Sequence, residues 1–462
     1  MIVFRTNSGG DLFLNPVKKS EEGNKTVIYE LLDGSAKSWM RLQLVENHFK
    51  ILERDIEIAE KESDILAKLD DLVLEVIEAA QSGTEYTEIG IPEKEDPYNP
   101  ESIKVQTKPF NLSLISNMID EGYIDLSPDF QRNFVWNPFQ KSRLIESVLL
   151  RIPLPMFYFA EDEVGNISVV DGLQRLTTIK EYMDNKFALK GLEYLSKSCE
   201  GRYFSDKNKD GTPNNLSVLE PKYLKWFNMT QLTVNVIDPS SPAKVKYDIF
   251  RRINTGGKPL NNQEIRNSLA SKTLRATLKE MVALEEFKLA TDWSIKSTRM
   301  EDQEVALRFI CFHRFYHEDQ TLSNYNGNME FSLDNITERL AKMKKEDLEI
   351  YVKLFSKSML NAFYLFGRFA FRKNIPDHLI PAAHKQLINK ALFVSWSVLL
   401  STYDPKMIKS KNESGCLATP VAKEIESDRN LYNYLSFGTN SKANMQAAFI
   451  AAEKIIDTHL SK

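Results

Sequence analysis

The spacing of apolar residues along this chain changes three times, and each change marks out a part. Up to about residue 35 they come in short runs, Ile2-Val-Phe, Leu12-Phe-Leu and Thr26-Val-Ile-Tyr, separated by polar turns, which predicts a small sheet or hairpin. From Ser38 to about Ala80 the interval becomes three and four: Leu42, Val45, Phe49, Leu52, Ile56 and Ala59, then Leu66, Val73, Ile77 and Ala80. That pattern predicts a long helix, or a helical hairpin broken near Glu62-Ser-Asp64, with an apolar seam suited to another helix. Residues 81–105 are acidic, punctuated by Pro and Gly, and aperiodic, as a linker is. Beyond Lys272 helical spacing returns and persists through Val305–Phe315, Leu348–Phe369, Leu387–Leu400 and Ala443–Ile456.

The middle of the chain mixes the two rhythms. A short amphipathic helix from Leu112 is followed by an extended segment dense in polar and aromatic residues, Ile124 to Pro138. Lys141 to Arg151 reads as a helix, stopped by Ile152-Pro-Leu-Pro155, which feeds a strand, Met156–Ala160. Gly165-Asn166 turns the chain into a second strand, Ile167–Val170. Asp171-Gly172 breaks it, and Leu173, Leu176, Ile179 and Tyr182 then keep helical spacing. A strand that turns on glycine into a helix leaves backbone N–H groups aimed at one point, with the positive end of the helix dipole behind them. Such a corner can take a phosphate, and Gly172 lets it approach the backbone; an ordinary corner with solvated polar residues is the alternative. Leu232–Ile237 is a further strand, and the helix Ala243–Ile253 ends at Asn254-Thr-Gly-Gly257 before another opens near Asn262. The expected architecture is α+β with a mostly α-helical C-terminal domain, in three parts: 1–100, 101–271 and 272–462.

Composition narrows the function classes. A chain of 462 residues, 42% hydrophobic, buries a core and divides into two or three domains. Its net charge of −4 gives no global footprint for nucleic acid, so DNA contact requires a local basic face. Cys199, Cys311 and Cys416 have neither disulfide nor metal spacing, which suits a reducing cytoplasm. No apolar run approaches the ~20 residues of a membrane helix, so no membrane partner is expected. Asp206-Lys-Asn-Lys-Asp-Gly211 mimics a calcium loop, but Ser217 stands where the bidentate Glu belongs. His313 and His317 lie one helical turn apart without a third ligand.

Three segments in order carry a resemblance. Pro128-Asp-Phe-Gln-Arg-Asn-Phe-Val-Trp136, Val170-Asp-Gly-Leu-Gln-Arg-Leu-Thr-Thr178, and Ile249–Leu260 followed by Glu264-Ile-Arg-Asn267 resemble the N-terminal domain of GmrS/GmrD-type restriction proteins. That family carries an Asp-Gly-Gln-Gln-Arg signature and is similar to the ParB/sulfiredoxin nucleotide-binding fold. The resemblance implies a nucleoside triphosphate with Mg²⁺ as cofactors and a place in a prokaryotic restriction or anti-phage system. In its terms Gln131, Arg132, Glu146, Ser147 and Gly172 to Arg175 surround the phosphates. Arg132 and Arg175 grip phosphate oxygens two-pronged, as a planar guanidinium can. Asp171 holds Mg²⁺ or orients a water, Glu146 supplies a second carboxylate, and Gln174 completes the catalytic set. Asn254, Thr255, Gly256 and Gly257 form a loop for ribose or phosphate. Trp136 and Phe130 are either base-stacking or core, and Arg251, Arg252 and Arg266 either line the site or are solvated. One departure stands out: the first Gln of the signature is Leu173 here. The HNH nuclease domain of many relatives is not visible among His378, His384 and His459. The expected activity is NTP binding and hydrolysis. The alternatives are a nucleotide-switched DNA-binding protein or scaffold, and a ParB-like nuclease in the same pocket. The N-terminal helical arm is expected to pack on the chain's own body, with recruitment of a partner protein or a second copy as the alternative.

Overall fold

The computed structural model describes residues 2–20, 27–33, 37–85, 101, 103–126, 136–207, 211–253, 260–380, 383 and 385–460. Contacts divide the chain into two units: Asp96–Ala270, and a second that joins Met1–Glu95 to Ser271–Lys462.

The first segment is a β-meander. Strands β1 (Ile2–Arg5), β2 (Asp11–Ser20), β3 (Val27–Leu32), β4 (Ser38–Val45) and β5 (His48–Arg54) pair antiparallel in sequence order. The sheet curls until its ends meet. Thr6 bridges Ile58, the Ala59 N–H donates to the Arg5 carbonyl at 2.8 Å, and the Asn7 N–H donates to that of Glu57 at 2.9 Å. Helix α1 (Glu62–Ser82) closes the interior, packing Ile65, Leu69, Leu72, Val73 and Val76 on Phe4, Leu14, Tyr29, Leu31, Leu42 and Phe49. The helix expected from Ser38 is therefore two strands, and helix begins only at Glu62. Met40, Leu42 and Leu44 alternate with Arg41 and Gln43, so the period of two wins once β3 and β5 are there to pair with. The three-and-four spacing across Leu42 to Ile56 is a coincidence of two strands joined at Glu46-Asn47, where Val45 pairs with His48. The apolar seam of α1 is taken up by the chain's own sheet, as expected of a helix packed on its own body.

In the second unit, β6 (Val105–Asn111), α2 (Leu112–Asp120), β7 (Ile124–Asp125) and α3 (Pro138–Leu149) come first. They are followed by β8 (Phe157–Glu161), β9 (Ile167–Asp171), α4 (Leu173–Met183), the short α5 (Ser196–Cys199) and α6 (Pro221–Met229). Strand β10 (Gln231–Ile237) and helices α7 (Ala243–Ile253) and α8 (Asn262–Leu269) complete it. The sheet is mixed, in the order β6-β10-β8-β9-β7, with β10 parallel to β8 and β9 antiparallel to β8. Alternation along the strands gives it two buried faces. Phe157, Phe159, Val169, Val234 and Val236 meet Leu112, Ile145, Val148, Leu176, Ile179 and Phe227 from α2, α3, α4 and α6. Ala160, Val170 and Ile237 meet Tyr247, Phe250 and Ile265 from α7 and α8. Helix α3 starts before the expected Lys141: Pro138 follows Asn137, whose side chain forms a capping box with Gln140.

The remainder is helical, as its periodicity predicts: α9 (Lys272–Ala283), α10 (Glu285–Ala290), α11 (Glu301–Glu318), α12 (Met329–Ala341), α13 (Lys345–Phe366), α14 (Lys390–Leu400), α15 (Pro405–Lys411), α16 (Ala418–Ser427), α17 (Arg429–Tyr434) and α18 (Lys442–His459). Aromatic spacing here is core spacing, with the Phe287, Phe309 and Phe393 rings all packed around Phe355. The first segment joins this bundle through a polar seam. Thr84 bridges Ile388, the Glu85 N–H donates to the Ile388 carbonyl at 2.8 Å, and the Ile388 N–H donates to that of Gly83 at 3.1 Å. The Thr84 hydroxyl donates to Glu301 at 2.9 Å, and the Asn389 amide to Glu85 at 2.6 Å. Residues 1–95 and 271–462 thus build one unit rather than two separate parts. Among the described residues no helix is long and apolar enough to cross a membrane.

Candidate functional site

The β9–α4 corner forms as the sequence suggests, for two physical reasons. Gly172 has φ +98°, a conformation L side chains rarely adopt. A Cβ added there would lie 2.2 Å from Cδ1 of Phe157. Glycine is required on both counts. The first helical bond runs from the Leu176 N–H to the Gly172 carbonyl at 2.8 Å, and the N-cap residue, a glycine, contributes no side-chain cap. The positive end of the α4 dipole therefore lies at the corner. Leu173 is buried in the core against α3 and the sheet.

Asp171 ends β9 beside the glycine, its side chain 36% exposed. Arg175, one turn into α4 and only 12% exposed, does not extend toward a ligand. Its guanidinium donates to Asp171 at 2.9 Å, to the Met156 carbonyl at 3.2 Å and to the Pro155 carbonyl, and it lies 4.2 Å from the centre of the Phe157 ring. Burial pulls its pKa down from the usual arginine value, with Asp171 opposing. In this structure the guanidinium, expected to grip phosphate two-pronged, folds back onto the Pro155–Met156 loop and the corner.

Glu146 is likewise reassigned. It is 3% exposed on α3, and its two oxygens accept backbone N–H bonds from Glu193 at 3.0 Å, Tyr194 at 2.7 Å and Leu195 at 2.8 Å. A carboxylate with three such donors organises the loop leading into α5 rather than offering a second catalytic oxygen. Ser147 turns its hydroxyl to the Arg143 carbonyl, 2.9 Å away on its own helix. Gln174 stands at the second position of α4, and its carbonyl accepts from the Thr178 hydroxyl at 2.8 Å. Phe130, Gln131 and Arg132, and the loop Asn254, Thr255, Gly256 and Gly257, lie outside the described residues, as does His384. Trp136 packs on the unit's core. Arg251 binds Asn262 at 3.0 Å and Asp248 at 3.3 Å, and Arg266 is fully buried with Gln263 at 3.3 Å, so neither is a solvated cation.

The groups that hold the corner in place carry no sequence signal. The Pro155 and Met156 carbonyls carry no side-chain signature, and only the Pro153-Leu-Pro155 spacing hinted that this loop is fixed. Lys180, buried on α4, pairs with Asp184 and, at 3.0 Å, with Asp120. The imidazoles of His313 and His317 approach to 4.2 Å, and burial pushes His313 down to about 4. Among the described residues no group of three or more His, Cys, Asp or Glu is placed to hold a metal ion.

Residues 112–271 match the profile of the GmrSD restriction endonuclease, N-terminal domain. This stretch is a GmrSD-type domain. It begins at the first residue of α2 and runs one residue past the compact unit, which closes at Ala270, so it holds the corner, Glu146 and the segment through Asn267. No curated protein and no solved structure matches the chain.

Proposed function

We propose that this chain is a component of a restriction-type DNA defence system whose GmrSD-type domain binds and hydrolyses a nucleoside triphosphate at the β9–α4 corner, in the manner of the ParB/sulfiredoxin fold. The observation that carries this is Gly172. A corner with a sterically obligatory glycine at its apex, standing at the positive end of a helix dipole, is suited to an anion. In this reading the first-turn N–H groups of α4 take phosphate oxygens. Mg²⁺ accompanying a triphosphate uses one or two carboxylates together with phosphate oxygens and water, so the half-buried Asp171 is a sufficient protein ligand. The bound ion would neutralise phosphate charge. Gln174 and the segments carrying Gln131, Arg132 and Asn254–Gly257 supply further polar groups. Arg175 is a positioning residue that holds Asp171 and the Pro155–Met156 loop.

The test uses Asp171→Asn, which keeps an oxygen for Arg175 but removes the charge. Thermal melts and phosphate release are measured with Mg²⁺ and each of the four NTPs, with and without DNA. One nucleotide should raise the wild-type melting temperature, and the variant should lose roughly tenfold or more of the phosphate release. Wild-type protein stabilised by none of the four would overturn the nucleotide reading.

A further inference from the structure

One face of the mixed sheet in the GmrSD-type domain changes character along its length. Helices α7 and α8 pack Tyr247, Phe250 and Ile265 on Ala160, Val170 and Ile237 of that face. Further along β10 the same face is polar. Alternation turns Leu232, Val234 and Val236 into the opposite core, and leaves Gln231 and Thr233 exposed and Asn235 partly so. This is an interior strand, held between β6 and β8, where both faces are ordinarily apolar when both are covered.

Register ties this polar stretch to the β9–α4 corner. Thr107 of β6, Asn235 of β10, Tyr158 of β8 and Asp171 of β9 stand opposite one another in a single row across four strands. Asp171 joins the row through a bulge: Phe159 pairs with Val169 and Tyr158 with Asp171, so Val170 is an extra residue. Bulges re-aim side chains and are over-represented beside active sites. Neighbouring strands lie ~4.8 Å apart, so the backbone of Asn235, two strands away, is about 10 Å from that of Asp171. A phosphate sharing a metal ion with Asp171 would sit closer than this, whereas a whole nucleoside triphosphate spans it. Within the row, Asn235 has a donor to spare. The Thr107 hydroxyl donates to its side-chain oxygen at 2.6 Å, which fixes the amide plane. Its NH₂ group meets only the Met156 thioether among the described residues, at 3.9 Å, and sulfur is a weak acceptor.

We infer that Asn235 reads the nucleoside of the triphosphate proposed for the corner. Its NH₂ group donates to an oxygen or ring nitrogen of the ribose or base, while Thr107 holds the amide in place. This rests on the nucleotide reading of the corner, and inorganic tripolyphosphate separates the two: it fills a phosphate site but offers Asn235 no nucleoside. The full chain is titrated calorimetrically with Mg²⁺ and tripolyphosphate, and with Mg²⁺ and the non-hydrolysable β,γ-imido analogues of the four NTPs and their 2′-deoxy forms. Wild-type protein should bind at least one nucleotide more tightly than tripolyphosphate. Asn235→Leu keeps the size of the side chain and removes both N–H groups. It should lose roughly three- to tenfold on that nucleotide and nothing on tripolyphosphate. Asn235→Ala, smaller and unable to clash, is the second variant and should behave alike; Thr107→Val, which releases the amide, should lose less. A loss on the ribonucleotide alone places the contact on the 2′-hydroxyl, and a loss on both forms places it elsewhere on the nucleoside; either supports the inference. Unchanged nucleotide affinity in both Asn235 variants overturns it, as does an equal loss on nucleotide and tripolyphosphate, which marks a structural amide. Wild-type protein that binds tripolyphosphate as tightly as every nucleotide overturns this inference and leaves the corner site standing, and protein that binds neither overturns both.

Discussion

At Arg175 the question is whether a cation is held out to a ligand or folded back into the structure, and its partners decide it. Three acceptors and an aromatic face occupy a side chain that is 12% exposed. Arg175→Ala would leave two carbonyls and the half-exposed Asp171 carboxylate without this partner, so a loss of about 1–3 kcal/mol is expected. Arg175→Lys keeps the charge, but a single ammonium cannot reach the spread of acceptors that the planar fork does, and it should recover only part of the loss. Urea melts of the two variants check this; an Arg175→Ala protein as stable as wild type would return the guanidinium to a ligand-binding role. Gly172 was legible in advance because both its backbone angle and its lack of a Cβ follow from a strand turning into a helix. The role of Arg175 was not, because two of its partners are carbonyls, which no sequence pattern marks. Glu146 was misread for the same reason: its donors are backbone N–H groups some 47 to 49 residues further on.

Elements were legible where one periodicity had no rival. The C-terminal helices and the β8–β9–α4 passage keep a single rhythm over their length. Residues 38–54 satisfy two, and the choice between them was made by strand pairing with Val27–Leu32, a tertiary fact. Element ends carry their own electrostatics, and α11 gives a case in which two effects oppose. Glu301, Asp302 and Glu304 fill its first turn, where the helix dipole favours negative charge. Burial nonetheless outweighs the dipole at Asp302 and pushes its carboxyl up to about 6, with the neighbouring Glu301 adding to the rise and the Gln303 N–H opposing it. Because the folded value lies above the unfolded one, the folded state binds the proton more tightly. The stabilisation is complete below about pH 4 and is lost as pH rises through 6, leaving the ionised carboxylate a liability on the order of 2–3 kcal/mol at neutral pH. Asp302→Asn preserves size and an acceptor for the Gln303 N–H, which donates to Asp302 at 2.8 Å. The variant should melt higher than wild type near pH 7.5, and the gain should shrink toward zero near pH 4. A difference that is the same at both pH values would mean that Asp302 does not titrate in this range.

For the whole molecule, the acidic, Pro-punctuated stretch before residue 105 suggested a detachable N-terminal arm, and the packing leads elsewhere. The linker is real as a change of periodicity, but what precedes it is built into the C-terminal bundle. Composition cannot reveal this, because the seam joins residues hundreds of positions apart, through polar contacts such as Thr84 to Glu301 and Glu85 to Asn389 and an apolar cluster of Val17 and Leu32 with Phe437. Removing residues 1–95 would expose that seam beside Lys390, a buried ammonium paired with Glu301 and Glu304, while Glu304 also holds the buried Arg308 at 2.8 Å. Buried charges tolerate water and lost partners poorly, so a truncated chain should not keep a fixed bundle. Asp96–Ala270 has its own two-faced sheet and core, and expressed alone it should melt cooperatively with near-ultraviolet ellipticity from ordered aromatic rings. The fragment 271–462 expressed alone should instead show helical far-ultraviolet signal with little near-ultraviolet signal and a broad transition. Mixing in residues 1–95 should sharpen that transition if the two segments recognise each other as they do in the intact chain. A sharp melt of 271–462 by itself would restore the first segment as an appendage and reopen a recruiting role for it. Failure of 96–270 to fold would mean that the GmrSD-type domain depends on the chain that flanks it.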